Sequence, residues 1–233
     1  MTQKPKHKKK SRTQKRWLPA IFLVGCGAAL YLLLARLGLV MSPQVIPNVF
    51  CGTACQPEPR LHPVLEGSDR LNDEYPLSEL LGEEIERDNI SILVEKSKYR
   101  LTVFYNLQPI KSYAVVFGSK PKGDKLHEGD RKTPEGIYPV RDLYPHRAWS
   151  KFIWLDYPTP QSWRKHLRAK QAGQIDARLP IGGQIGIHGV PAGEDALVEE
   201  RSNWTLGCIS LKNRDVDEIY RFVRRGTQVE ILP

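Results

Sequence analysis

A chain of 233 residues, 40% of them hydrophobic, is long enough for one domain that buries its own core, with some length to spare. Its net charge of +9 suggests a nucleic-acid binder, but eight cations sit in residues 1–16, which hold no acid. The remaining residues carry only +1, which implies no basic face and argues against nucleic acid as a partner.

The basic run, Lys4 to Arg16, precedes a stretch from Trp17 to Met41 that is apolar except for Arg36. Leu18 to Ala35 is free of charge, and its length is close to the ~20 residues that span a bilayer. Trp17 suits an interfacial belt, and Arg36 can snorkel at the far end. The positive flank keeps residues 1–16 in the cytoplasm and sends the rest across. The expected organisation is therefore a basic tail (1–16) and a transmembrane signal anchor (17–41). Two other readings stay open. A cleaved signal peptide usually has a shorter apolar run. Leu23-Val24-Gly25-Cys26 resembles a lipobox, although the residues after Cys26 remain apolar.

Residues 42–87 read as a linker, because Pro43, Pro47, Pro57, Pro59 and Pro63 break regular structure. Leu77 to Leu81 is a short helix candidate. Cys51 and Cys55 are spaced to close a small disulfide loop in an exported setting, or else stay unpaired or pair between chains.

From residue 88 the pattern turns to β. Ile92 to Ser97, Arg100 to Tyr105 and Ile110 to Phe117 are rich in β-branched and aromatic residues, with a hairpin turn over Asn106 to Pro109. Gly136 to Val140, Lys151 to Leu155, Gln184 to His188, Cys208 to Leu211 and Thr227 to Leu232 are further strand candidates. The segment from Gln161 to Ala172 is basic, with Arg164, Lys165, His166, Arg168 and Lys170. It reads as a cover over an anionic substrate or as a solvated helix face. A helix follows Cys208. Asn213 is the expected N-cap, Val216, Ile219, Tyr220 and Val223 form one apolar face, and Gly226 ends it.

The chemistry is concentrated late in the chain. His188-Gly189 is followed, after residues 189–204, by Thr205-Leu206-Gly207-Cys208. A thiol is a strong nucleophile only as a thiolate, and an imidazole can take its proton. The Gly207 and Cys208 amides are candidate oxyanion donors. Spacing alone leaves a packed cysteine as the bland alternative. Zinc is disfavoured, since Cys208 has no neighbouring Cys or His.

These residues resemble the signature of the L,D-transpeptidase family, the YkuD-type domain of peptidoglycan enzymes. That signature is a His-Gly, a spacer, then Ser/Thr-His-Gly-Cys, matched here by His188, Thr205, Gly207 and Cys208. Glu128-Gly129-Asp130-Arg131-Lys132-Thr133-Pro134-Glu135-Gly136-Ile137-Tyr138 resembles the family's "GD-K-TPEG-Y" segment, and Ile92 to Tyr105 its opening hairpin. The resemblance covers about residues 88–233. It implies a mainly β fold, a YkuD-like β-sandwich of mixed sheets with a few short helices, preceded here by one transmembrane helix. It implies a bacterial inner-membrane protein with a periplasmic linker (42–87) and a periplasmic catalytic domain (88–233).

The implied reaction is attack by Cys208 on a peptidoglycan stem peptide, release of D-alanine, and transfer of the thioester to an amine. The acceptor is another stem, giving a 3–3 crosslink, or a lysine of an envelope protein. His188 is the implied base, Gly207 and Thr205 complete the catalytic set, and no metal or cofactor is required. Gly189, Trp204, Ser210 and Arg164 are candidate substrate contacts. Two positions depart from the signature. Leu206 replaces the His before Gly-Cys, and Ser210 stands where Arg is frequent, which bears on recognition of the substrate carboxylate. A cysteine hydrolase on the same scaffold and a non-catalytic wall-binding module remain as alternatives.

Overall fold

The computed structural model describes residues 18–36, 40–50, 59–67, 69–82 and 85–233. Its centre is one eight-stranded mixed sheet. In chain order the strands are β1 (Ile90–Glu95), β2 (Arg100–Tyr105), β3 (Gln108–Ala114), β4 (Gly136–His146), β5 (Ser150–Leu155), β6 (Gly186–Gly189), β7 (Ile209–Leu211) and β8 (Gln228–Leu232). The order across the sheet is β3-β2-β1-β8-β4-β5-β6-β7. The β1–β8 and β6–β7 pairs are parallel and the others antiparallel.

The expectation of a mainly β fold of mixed sheets with a few short helices holds, and the two halves join into one eight-stranded order. The physical reason is β4. Gly136 to Pro139 pair with β8, whereas Val140 to His146 pair with β5, and the register shifts between Val140 and Asp142. Such an irregularity bends a strand, so one long strand serves both halves. The chain leaving β3 then crosses to the far edge, where Val116 and Ser210 exchange backbone hydrogen bonds of 2.9 and 2.8 Å. The two halves enclose Ile92, Val94, Leu101, Val103, Phe117, Ile153, Leu155, Ile187, Ile209 and Ile231, all buried.

Local chemistry explains the connections. Asn106 and Leu107 both have positive φ (51° and 60°), the two-residue geometry that matches strand twist, so β3 begins earlier than its β-branched residues suggest. Past the short α5 (Ala196–Glu199), helix α6 (Asn213–Tyr220) buries Val216 and Ile219. Its N-cap is Lys212, with no side-chain cap bond, rather than Asn213. Asn213 falls in the first turn instead, with Oδ1 turned toward Gly189. Helix α4 (Pro160–Gln171) occupies the basic segment over 161–172; of the two readings it is the helix face, although one side of it is buried. Thr159 Oγ1 caps it by accepting from Ser162 N at 3.3 Å, Pro160 opens it, and Trp163, His166 and Ala169 are buried.

The expected linker is a strap in its second half. Helix α3 (Leu77–Leu81) seats a fully buried Leu77. Ser112 N donates to Leu71 O at 2.8 Å, which covers an edge strand that would otherwise be open. His62 is buried between Glu230 and Ser91, with Nδ1 and Nε2 each at 2.8 Å. A carboxylate only accepts, so Nδ1–H donates to Glu230 and Nε2 accepts from Ser91. Burial holds His62 below the usual histidine range despite Glu230, so the ring stays neutral. His62→Ala should cost about 3 kcal/mol, because Glu230 remains buried without its imidazole donor. Denaturant unfolding of the full chain measures this, and a loss under about 1 kcal/mol would reduce the strap to surface cover.

Helix α1 (Leu18–Arg36) occupies most of the expected anchor, and Ile21, Phe22, Leu23 and Val24 on it are exposed. Among the described residues no helix is long and apolar enough to cross a membrane. Residues 1–17 and 37–39, and the Cys51–Cys55 pair, lie outside the described residues. Cys26 is an exposed free thiol on α1.

Candidate active site

β6 and β7 lie side by side, so His188 on β6 and Cys208, the residue just before β7, fall on neighbouring segments of the chain. His188 pairs with Ser210. Cys208 comes two residues before Ser210 and lies beside Gln184 and Gly186, at the start of β6. Cys208 is half-buried, and its Sγ–H points to Gln184 O at 3.6 Å. Burial pushes the thiol up to about 11, although the Gly186 N–H and the Lys125 charge pull it back.

His188 is only 2% exposed. Its Nδ1 lies 2.7 Å from Gly189 O, so Nδ1 carries the proton and Nε2 is left as the basic nitrogen. Burial drives its pKa down to about 4 against that hydrogen bond, and His146 adds to the lowering. At neutral pH the resting pair is thus thiol and neutral imidazole.

Thr205 shapes the turn that leads into Cys208. Its Oγ1 donates to Cys208 O at 2.7 Å and accepts from Gly207 N at 3.1 Å. The Gly207 N–H is therefore engaged, and the Cys208 N–H remains the oxyanion candidate. Gly207 has φ 143°, and a Cβ there would lie 2.7 Å from Lys132 O. That carbonyl belongs to the 124–135 loop, which is knotted around Asp130. The Asp130 carboxylate accepts from Leu126 N, His127 N, Lys132 N and Lys125 Nζ at 2.8–3.1 Å. Burial alone would raise its pKa, but the bonds from Lys125 and the amides hold it below the usual carboxylate range.

The four candidate substrate residues fall in different places. Gly189 is buried scaffold. A Cβ on it would sit 2.0 Å from Asn213 Oδ1 and 2.7 Å from Trp149 O, so no side chain fits. Ser210 is fully buried, and its hydroxyl donates to Gly189 O at 3.2 Å, supporting the carbonyl that orients His188. Trp204 does reach the site, with its ring edge-on to His188 at 5.6 Å. Its buried Nε1 has no hydrogen-bond partner among the described residues. Arg164 extends to Asn48 O at 2.6 Å, toward α2 (Ile46–Val49). Its neighbours Lys165 and His166 bind the 124–135 loop through Glu135 O (2.7 Å) and Leu126 O (2.6 Å). The basic segment therefore braces that loop.

Sequence reasoning missed the aromatic shell of the histidine. Trp149 stacks on His188 with centroids 4.4 Å apart, and Phe152 lies parallel to it at 5.9 Å. The β5 register puts Phe152 opposite His188. The aromatic cluster at residues 144–154 was the available signal.

Residues 89–231 match the family model described as the YkuD L,D-transpeptidase catalytic domain. The curated "Putative L,D-transpeptidase YafK" of Escherichia coli K12 is 24% identical over 171 residues, 68% of this chain and 59% of the relative. The chain thus spans less than two thirds of that relative's length. The helical cell shape determining protein Pgp2 of Campylobacter jejuni is 26% identical, with TM-score 0.44 over 66% of this chain and 53% of its own. L,D-transpeptidase 3 of Mycobacterium tuberculosis is 13% identical, with TM-score 0.42 over 62% and 60%. With the family model spanning well over half of the residues, the chain belongs to the YkuD family of L,D-transpeptidase catalytic domains.

Proposed function

We propose that this chain is a peptidoglycan L,D-transpeptidase working through a thioester on Cys208. One observation supports the reading: His188 on β6 is tied at Nδ1 to Gly189 O, and Cys208 directly precedes β7, the parallel neighbour of β6. Because both groups rest neutral, the proton moves as the bond forms. Sγ attacks the donor carbonyl of the stem while His188 Nε2 takes the thiol proton. The Cys208 N–H stabilises the oxyanion. The amide C–N bond then breaks, and the imidazolium returns its proton to the departing D-alanine amine. An imidazolium of such low pKa is a strong acid for that step. An acceptor amine attacks the thioester, loses a proton to Nε2, and the thiol is restored. The acceptor is a second stem or a lysine of an envelope protein.

Membrane attachment belongs to the same proposal. The exposed apolar side chains around α1 need a nonpolar covering, and the basic residues before it suit a cytoplasmic flank. The domain would then act in the periplasm.

The test is mass spectrometry of tetrapeptide muropeptides incubated with the full chain. The expected product is a dimer lacking one D-alanine. Release of D-alanine with only a water-terminated tripeptide would replace transfer by hydrolysis, and unchanged substrate would overturn the reading.

A further inference from the structure

We propose that Trp149, at the tip of the β4–β5 hairpin, is the positioning residue for the His188 imidazole. This rests on the transpeptidase reading for its kinetic consequence, but not for its geometry. A single hydrogen bond at Nδ1 fixes one point of the ring. The terminal torsion of histidine is broad, so one point does not fix the plane. Trp149 supplies the plane by stacking at 4.4 Å and 25°. It also holds the backbone, since Trp149 O accepts from Gly189 N at 3.0 Å. Both polar groups of Gly189 are therefore engaged, its N–H by Trp149 and its carbonyl by His188 and Ser210.

The placement is unlike ordinary core packing. Trp149 lies on a turn, is only half-buried, and joins two strands through its neighbours. His146, from β4, stacks on it at 4.3 Å and 10°, and Trp204 meets it edge-on at 6.3 Å. The result is a three-ring column of His146, Trp149 and His188, with Phe152 alongside it at 6.2, 6.3 and 5.9 Å from the three rings and Trp204 edge-on to Trp149 and His188. The titratable groups around His188 are His146 beyond Trp149 and Cys208 beside β7. Ser210 contributes a hydroxyl, whereas Phe152 and Trp204 bring no charge.

The tryptophan ring thus has two effects that can be separated from bulk. It orients Nε2, and it keeps water from one face of the imidazole. Trp149→Leu keeps apolar volume without a ring, and Trp149→Phe keeps a ring. The main-chain bond from Gly189 survives in both, so only the side chain is examined. Two readouts are taken on the full chain in detergent: turnover of stem peptides, and the His188 titration followed by NMR with labelled histidine. In Trp149→Leu, kcat should fall at least about tenfold with KM nearly unchanged, as for a misaligned catalytic group. The His188 pKa should rise by about one unit or more as water reaches the ring. Trp149→Phe should restore most of both. Equal behaviour of the Leu and Phe variants, or a His188 titration unmoved in a folded Leu variant, would overturn the proposal. A wild-type chain that does not transfer, together with the expected His188 titration shift in Trp149→Leu, would sink the transpeptidase reading and leave the positioning role standing.

Discussion

Cys208→Ala should abolish acyl transfer without unfolding the chain. The sulfur is half-buried just before β7 and makes one long contact, to Gln184 O at 3.6 Å. Removing it costs little packing, while the turn keeps its Thr205 bonds to Gly207 N and Cys208 O. Nothing else described on that face can form the thioester. A carbapenem gives the same test without the natural substrate, because its strained ring offers a carbonyl to the thiol. The adduct should appear on the wild-type chain by intact mass and be missing from the variant. The pKa ordering adds a kinetic signature. With the thiol near 11, its reactive fraction at neutral pH is small. Alkylation by iodoacetamide should climb about tenfold per pH unit from 7 to 10. A plateau below about pH 8 would instead mark a preformed thiolate–imidazolium pair and remove the concerted proton transfer from the mechanism.

Much of this site is local in the chain and therefore readable from it. The strands that carry His188 and Cys208 are short, glycine-flanked and β-branched, and each forms close to where its residues suggest. Helix α6 is readable for the same reason, since Val216 and Ile219 recur at helical spacing and both are fully buried. What escapes is non-local. The strap over residues 59–82 looks like a proline-rich linker because its partners lie far along the chain, as His62 does from Glu230. The shell around His188 escapes because Phe152 faces it only through strand register, and Trp149 only through a hairpin tip. The basic segment 161–172 misleads for another reason. Composition shows its charge, but not that Trp163 and His166 turn inward and that Lys165 braces the 124–135 loop. At Ser210 the absence of the family's frequent Arg is plain from the sequence. Only the packing reveals that the hydroxyl is buried against Gly189 O.

His188→Ala should lower turnover by at least about 10²-fold, the usual loss when a general base is removed. The wild-type pH profile is the sharper check. Burial holds the imidazole near pKa 4, so it remains a competent base well below the 6.5 of a free histidine. Activity per folded molecule should stay level from pH 7 to about 5 rather than halve near 6.5. The same burial carries a stability cost with a definite sign. Unfolding frees the ring to titrate at 6.5, so between 6.5 and 4 the unfolded chain binds the extra proton. The contribution is complete above pH 6.5 and is lost as pH falls toward 4. For a shift of this size it amounts to about 3 kcal/mol. His62 and His166 are lowered too and share the direction, so the wild-type chain should weaken steadily across that range. His188→Ala starts lower, because it opens a space beside Trp149 and Phe152, but it should lose about 3 kcal/mol less between pH 6.5 and 4. Denaturant unfolding at each pH measures both slopes. Parallel curves would mean that the folded protein does not hold His188 neutral, and the concerted proton transfer from Cys208 would then have to be abandoned.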